Sequence, residues 1–528
     1  MATRSTLADL TPSFLFLLLT ATLGPLLFGY HLAELNAPSE VITCAKKSIQ
    51  ASTTISRLTT AFKEHFTKPQ STEISTSALP QCIPMTTTEF GLISSFFTLG
   101  GLLGALAAGP ISAKSGRVRT MLYAALFATI GPIFEALAPN ISTMTLGRFI
   151  AGLGAGGAMV VCPLYIFDIA PPGRKGFFGS FTQVMVNVGI LITQVLGYFL
   201  SRGQLWRVIL GVGGMIGAVQ ATAFLLGGQE SPKWMADVGK VGAAKGVLRK
   251  IRGQGADIDA EVTSWGVSDN ARDEDDEEER LLAGSDSPDD EQSPSSNGGL
   301  LSPTHKPSQN SETLGAFAVL RDPRTRPAVF AITMIMCAQQ FTGINSIIMY
   351  GVSLLSNLLA ANSALLNVAV SGVNVVVTAS AAPLVDKLGR KTCLLMSITG
   401  MGISSILLAI GIMRSLSILS AIAVLAFVAS FGLGLGPVPF ILASELVDAN
   451  AVGATQSWAL AANWIATFVV AQFFPMLNEA MGKGQVYFVF AAMAVAFGGF
   501  VAWFVPESKG RADADEVWGR GKGRERVD

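Results

Sequence analysis

The chain carries one motif twice, as Gly-Pro-Ile-Ser-Ala-Lys-Ser-Gly-Arg at residues 109–117 and as Ala-Pro-Leu-Val-Asp-Lys-Leu-Gly-Arg-Lys at residues 382–391. Each copy follows a long apolar run and ends in basic residues. Arg390 comes 273 positions after Arg117. A repeat at this distance predicts that the protein is built from two related halves.

Three further pairs of motifs keep nearly the same spacing. A glycine-rich run recurs after 280 positions, an acidic residue after 277, and a Glu-Ser pair after 277. Near-constant spacing over four motifs indicates a duplicated unit, as in many transporters. The paired positions are Gly152 and Gly432, Asp168 and Glu445, and Glu230 and Glu507.

The composition is that of a membrane protein. Of the 528 residues 50% are hydrophobic and only 14% are charged, whereas soluble domains carry about 25% charged residues. The formal net charge of zero gives no basic field for nucleic acid. Neither a nucleophile–histidine–acid set nor a metal cluster stands out, so the sequence predicts no enzyme, cofactor or metal.

Twelve apolar runs are long enough to cross a bilayer as helices. They predict an all-α membrane protein of two six-helix bundles, spanning residues 13–227 and 325–505. The expected spans are 13–34, 88–111, 120–138, 143–167, 177–200, 206–227, 326–351, 364–385, 392–412, 417–442, 452–475 and 485–505.

The short loops fix the expected orientation, because Lys and Arg accumulate on the cytosolic side of membrane proteins. Basic residues follow the second, fourth and eighth spans. The N-terminus (1–12), the central loop (228–324) and the tail (506–528) are therefore expected in the cytosol. Residues 35–87 form a long outer or lumenal loop, and Cys44 and Cys82 can form a disulfide if that side is lumenal.

The central loop contains an acidic run, Asp273–Glu279, followed by Ser-, Pro- and Gly-rich sequence. Such a segment has too few apolar residues to fold, so it is expected to be largely disordered. Glu277, Leu281 and Leu282 fit the acidic dileucine pattern that clathrin adaptors bind. This favours a vacuolar membrane over the plasma membrane, and the alternative is an incidental leucine pair in a charged linker.

Three motifs together resemble the sugar porter family of the major facilitator superfamily, in its glucose-facilitator-like, fungal hexose-transporter form. Residues 339–345 read Gln-Gln-Phe-Thr-Gly-Ile-Asn and resemble the sugar motif of the family. Residues 230–234 and 506–510 resemble its Pro-Glu-Ser-Pro-Arg and Pro-Glu-Thr-Lys-Gly signatures. The resemblance implies alternating-access transport of a monosaccharide, a hexose first of all, by a monomer in the bilayer.

The resemblance also implies which side chains bind the sugar. Amide side chains match the hydroxyl groups of a sugar because they both donate and accept hydrogen bonds. The alternative role for an amide inside a membrane is a hydrogen bond between two helices. Phe440 stands where the family has tryptophan, so it lacks an indole donor. The expected substrate-binding residues are Gln183, Gln339, Gln340, Asn345, Asn374, Phe440, Asn463 and Trp464.

Charged motif residues are expected to form cytosolic salt bridges that close the two halves in the outward-open state. The first motif has Ala113 where the family has aspartate, which predicts a weaker lock in the first half. The alternative is that these side chains reach the membrane surface singly. The expected gate residues are Arg117, Arg148, Asp168, Asp386, Arg390 and Glu445.

His31 occupies the position at which proton-coupled sugar porters have aspartate and animal facilitators have asparagine. With Arg148 it is a candidate for proton coupling, since histidine titrates near neutral pH. Glu34 is a substitute candidate expected near the surface. Facilitated diffusion and proton symport both remain open, as do two other functions, a non-transporting sugar sensor and a transporter of another small polar solute.

Overall fold

The computed structural model describes residues 10–45, 79–172, 174–253, 255–263, 265, 318–355, 363–448, 451–482, 484–511 and 514–520. The expected sorting motif, Glu277, Leu281 and Leu282, lies outside these residues, and the side chain of Asp386 is likewise not described. Within the described ranges the regular structure is helical, with no extended sheet.

The first half contains six long helices. Side chains cap the first turns of three of them: Thr11 caps the first helix, Thr86 and Glu89 form a capping box on the second, and Asn140 caps the fourth. The helices are α1 (Pro12–Ala33), α2 (Thr87–Ser115), α3 (Arg117–Ala136), α4 (Ile141–Ile169), α5 (Lys175–Leu200) and α6 (Trp206–Gly227).

The second half has the same number of spans, but two of them are broken. The seventh span consists of α7 and α8, which meet at Gly343, and the tenth consists of α11 and α12, which are joined by residues 434–437. The segments are α7 (Arg326–Phe341), α8 (Ile344–Leu355), α9 (Ser363–Leu388), α10 (Arg390–Met413), α11 (Ser417–Leu433), α12 (Val438–Glu445), α13 (Val452–Met481) and α14 (Val486–Phe504).

Eleven of the twelve spans are apolar and long enough to cross a membrane by composition and length. Helix α3 is not among them, because Arg117, Arg119 and Glu135 lower its mean hydropathy. Its place in the chain agrees with the expected third span. The fold is that of twelve helices in two bundles.

The duplicated motif has one backbone conformation in both halves. Gly116 separates α2 from α3 with φ of +96°, and Gly389 separates α9 from α10 with φ of +95°. A side chain at either position would be strained, which explains why both copies have glycine there. The repeat in the sequence is therefore a repeat in three dimensions.

The largest contacts between the two halves are two helix pairs. Helix α2 packs against α13, and α5 packs against α9. Between residues 228 and 324 the described part includes short helices at Pro232–Asp237, Val241–Arg252, Asp259–Thr263 and Ala318–Arg321. On the opposite side of the bundle Cys44 and Cys82 form a disulfide, with their Cα atoms 5.3 Å apart.

Candidate functional site

A cavity lies between the two halves, at the level of the helix breaks. Seven of the eight residues expected to bind sugar line it: Gln183, Gln339, Gln340, Phe440, Asn345, Asn463 and Trp464. Apolar side chains from α1, α4 and α5 complete the wall, among them Phe28, Met159 and Ile190.

An amide network forms one side of the cavity. Asn463 Nδ2 donates to Gln339 Oε1 over 2.6 Å, and Gln340 Nε2 donates to the same oxygen over 3.2 Å. Asn345 Nδ2 donates to Gln340 Oε1 over 2.6 Å. The network therefore joins α7, α8 and α13, and it holds four amides at the edge of one cavity.

Gln339 also links the two broken spans. Its Nε2 donates to the carbonyl oxygen of Leu435 over 2.6 Å, in the gap between α11 and α12. A helix break leaves backbone carbonyls without their helical partners, and they must be satisfied inside a membrane protein. The Gly-Leu-Gly-Pro sequence at 434–437 opens that gap, since its glycines and proline do not favour a continuous helix. Gln339 thus has a structural contact as well as a place in the cavity wall.

Asn374 is the one expected binding residue that does not line the cavity. Its Nδ2 donates to Asn187 Oδ1 over 3.2 Å, and Asn187 Nδ2 donates to Thr378 Oγ1 over 2.9 Å. Asn187, on α5, does line the cavity. Thr378, one helical turn after Asn374 on α9, bonds the same Asn187 side chain. Asn374 therefore takes part in a contact between the two halves, behind the cavity wall.

Aromatic rings cover another side of the cavity. Trp464 contacts Phe28 edge to face, with ring centroids 5.5 Å apart, and contacts Phe97 at 6.2 Å. Phe97 is fully buried on α2. Flat apolar faces next to amides suit a sugar ring, which has hydroxyls at its edge and C–H groups on its faces.

A buried charged cluster lies beside the aromatic rings. It comprises His31 and Glu34 at the end of α1, Glu135 at the end of α3, and Arg148 on α4, all 0% exposed. Arg148 forms a salt bridge with Glu34 and donates to the carbonyl oxygen of His31 over 2.7 Å. His31 Nδ1 lies 3.1 Å from Glu34 Oε2.

Two expectations about this cluster need correction. Glu34 was expected near the surface, but it is 0% exposed, and the segment that follows it is itself buried, from Leu35 to Ala37 and again at Val41. Glu135 was not expected to take part at all, and its Oε2 lies 3.9 Å from Arg148 Nη1. An acidic residue in an apolar span is a signal for function, and that signal was present in the sequence.

The charged motif residues form one cluster in each half. Arg117 Nε bonds Asp168 over 3.1 Å in the first half, and Arg390 Nη2 bonds Glu445 over 2.9 Å in the second. Both pairs lie within a half in this structure, so salt bridges between the halves remain a prediction.

Arg148 does not belong to these clusters. It lies 20 residues before Asp168 on the same helix, which places the two about 30 Å apart along the axis. Arg148 was expected among the gate residues, but it lies at the start of the fourth span, on the side of the bundle opposite to the duplicated motifs.

Comparison with known proteins agrees with this architecture. The family described as "Sugar (and other) transporter" matches residues 17–513. A probable metabolite transport protein of Saccharomyces cerevisiae is 33% identical, covering 95% of this chain and 94% of its own. A vacuolar protein sorting-associated protein of the same yeast is 29% identical over 95% of each chain.

Among solved structures, the xylose transporter XylE from E. coli in a partially occluded inward-open conformation has a TM-score of 0.68. It is 23% identical and covers 95% of this chain and 100% of its own, a likeness that concerns the fold. The fold and the cavity are those of a membrane transporter of the major facilitator superfamily. The chain belongs to the sugar transporter family, whose members work by facilitated diffusion or proton symport.

Proposed function

We propose that the substrate is a neutral monosaccharide of hexose size, bound between the halves and released by alternating access. The observation that carries this proposal is the amide-lined cavity at the helix breaks. Four amides converge on it from α7, α8 and α13, joined by Gln183 and Asn187 from α5. Sites of this kind at the interface of repeats are where transporters bind their substrates.

The lining also argues against charged substrates. No charged side chain is among the described residues that line the cavity. An anion or cation would lose its hydration without gaining an opposite charge, which is costly. A sugar loses hydrogen bonds to water and regains them from amide oxygens and N–H groups, while its ring packs on Trp464 and Phe28.

Equilibrium exchange in proteoliposomes tests the proposal. Purified protein with D-glucose on both sides should exchange labelled D-glucose, and D-xylose should compete with it, whereas L-glucose and a charged sugar acid should not. Failure to exchange any sugar, with binding retained, would point to the sensor instead. Exchange of the sugar acid in preference to D-glucose would point to another polar solute.

We further propose that the protein works in a vacuolar membrane with both termini in the cytosol. The dileucine residues Glu277, Leu281 and Leu282 support this location, and so does the yeast relative named for vacuolar protein sorting. In that orientation a clathrin adaptor has access to the motif. The basic residues beside Gly116 and Gly389 then face the cytosol, as the distribution of Lys and Arg in membrane proteins favours.

A double substitution, Leu281→Ala with Leu282→Ala, tests the sorting proposal. A fluorescent fusion of this variant is expected at the cell surface, while the single control Leu300→Ala stays with the wild type. An unchanged vacuolar signal for the double variant would refute the role of the leucines.

A further inference from the structure

We propose that Glu34 and Glu135 together hold one transported proton, so that this carboxylate pair couples sugar movement to proton movement. The inference rests on the proposed sugar transport and names its second substrate. It assigns the proton to two carboxylates at the ends of α1 and α3, and it gives His31 a positioning role.

The first argument is the charge of the cluster. Two carboxylates, Glu34 and Glu135, share one guanidinium, that of Arg148, and all three are 0% exposed. With His31 neutral, ionisation of both carboxylates would leave one uncompensated negative charge in the membrane interior. Burying such a charge is costly, so one proton makes the cluster neutral.

The second argument is where the hydrogen bonds lie. Arg148 and His31 both point to the Glu34 carboxylate, which therefore has the donors that an ionised carboxylate needs. Neither oxygen of Glu135 accepts a hydrogen bond from an arginine, histidine or backbone N–H among the described residues, and its carboxyl group lies beside that of Glu34. The nearest cationic atom, Arg148 Nη1, is 3.9 Å away. Glu135 is thus the member of the pair that holds the proton in this conformation.

The role of His31 follows from the same contacts. An ionised carboxylate only accepts hydrogen bonds, so His31 Nδ1 donates to Glu34 and the ring is neutral with its acceptor at Nε2. The Nε2 atom is buried and has no partner in the described part of the chain. His31 therefore orients Glu34 towards Arg148.

Other titratable groups around the cluster are occupied elsewhere. The Tyr30 hydroxyl donates to the carbonyl oxygen of Ile209 on α6 over 2.5 Å. Tyr350 of α8, which lies within electrostatic range of Arg148, donates to the carbonyl oxygen of Ala471 over 2.6 Å. Arg207 of α6 donates to backbone carbonyls at 136 and 138 near Glu135. Helix α2 contributes the neutral ring of Phe97.

Phe97 connects the cluster to the sugar cavity. The Arg148 guanidinium lies over its ring, 4.5 Å from the centroid, and the same ring packs against Trp464 and Phe28 in the cavity wall. Because Trp464 belongs to the second half, one aromatic ring touches both the proton site and the surface that binds sugar. A shift of Arg148 therefore reaches the cavity through one contact.

The proton step is simple to write. In the outward-facing state a proton from water bonds to a Glu135 carboxylate oxygen, and in the inward-facing state that O–H bond breaks and the proton returns to water. The ionised Glu135 then attracts Arg148 away from Glu34 and from the face of Phe97. One proton crosses with each sugar, since the cluster has one excess negative charge.

The test uses full-length protein in proteoliposomes with trapped pH dye, and D-glucose and D-xylose as probes. Glu135→Gln mimics the protonated side chain. It is expected to exchange labelled D-glucose at equilibrium but to lose sugar-induced proton movement and accumulation driven by a pH gradient. The matched control, Glu89→Gln, changes an exposed acid on α2 whose capping role glutamine also fills, and should behave as wild type.

His31→Asn separates this proposal from a histidine-based one. It should keep sugar-induced proton movement, because asparagine still donates a hydrogen bond to Glu34. Loss of proton movement in His31→Asn with its retention in Glu135→Gln would overturn the assignment.

Wild-type protein gives a measurement that needs no variant to fold. The pH gradient that just balances a D-glucose gradient reports the ratio of protons to sugar, and a ratio of one is expected. A ratio of zero with intact sugar exchange would overturn the proton proposal and leave the transport proposal standing. Absence of exchange for every sugar would instead contradict the proposed transport itself.

Discussion

The two halves share a helix plan but bury different polar groups. The first half has unbroken helices and places two carboxylates, a histidine and an arginine beside the cavity. The second half breaks its seventh and tenth spans and fills the region with amides. The duplicated turns at Gly116 and Gly389 stayed alike, so duplication explains the scaffold and divergence explains the chemistry.

The salt-bridge clusters beside Gly116 and Gly389 show how far the likeness of the two halves extends. In the first half Glu230 accepts from the backbone N–H of Arg117 over 2.8 Å, and in the second Glu507 accepts from that of Arg390 over 2.8 Å. Ser231 and Ser508 each donate to the acidic partner of the arginine. Among the described residues the amide network and the buried cluster around Arg148 each belong to one half, so these are the parts on which the proposed functions rest.

Removing the cation of the first half should have the largest effect. Arg148→Ala leaves the buried Glu34 carboxylate with His31 as its donor but without a cation, and breaking a buried ion pair costs about 3–5 kcal/mol of unfolding free energy. Titration of the detergent-solubilised protein with SDS measures the loss of unfolding free energy. Sugar exchange by this variant should cease. Adding Glu34→Gln to the variant should recover part of the stability, and a double variant no more stable than the single one would contradict the charge argument.

Removing the central amide of the second half should have a smaller effect on stability and a large one on sugar binding. Gln339→Leu leaves the buried carbonyl of Leu435 without its donor, at about 1–3 kcal/mol of unfolding free energy, while Asn463 keeps its bond to the carbonyl oxygen of Met336. The apparent affinity for D-glucose should fall about tenfold or more, since each 1.4 kcal/mol is a factor of ten.

Gln220→Leu is the matched control for that change. Gln220 is 2% exposed, donates to the carbonyl oxygen of Thr20 and does not line the cavity. It should lower stability without changing the affinity for D-glucose. Equal losses of affinity in both variants would mean that Gln339 acts only through the packing of helices.

Substitutions in the two arginine–acid clusters beside Gly116 and Gly389 should have the smallest effect on transport. Arg390 bonds Glu445 through both Nε and Nη2, whereas Arg117 bonds Asp168 through Nε. Glu445→Gln should therefore slow D-glucose entry more than Asp168→Asn, by roughly twofold to fivefold, because bidentate charge-assisted bonds are stronger. Initial rates at saturating sugar measure the difference. The reverse order would show that the first half holds the stronger lock.

Much of the site could be predicted from residue types alone. Amides in apolar spans are conspicuous because their burial needs a partner, and seven of the eight expected binding residues line the cavity. Asn374 was misplaced because helical spacing gives the face of α9 but not the neighbour that this face meets. Glu34 was misplaced for a similar reason, since a residue at a helix end is exposed or buried according to the loop that follows.

The class of protein, its helices, its repeat and the uncharged character of the candidate binding site could all be predicted from the sequence. These follow from local composition and spacing, because a bilayer demands long apolar helices and penalises charge. The meeting of Glu34, Glu135 and Arg148, and the contact of Phe97 with both Arg148 and Trp464, became visible only once the helices were packed together. Those contacts join different spans, with Glu34 114 residues before Arg148 in the chain, and their existence depends on how the helices pack against one another.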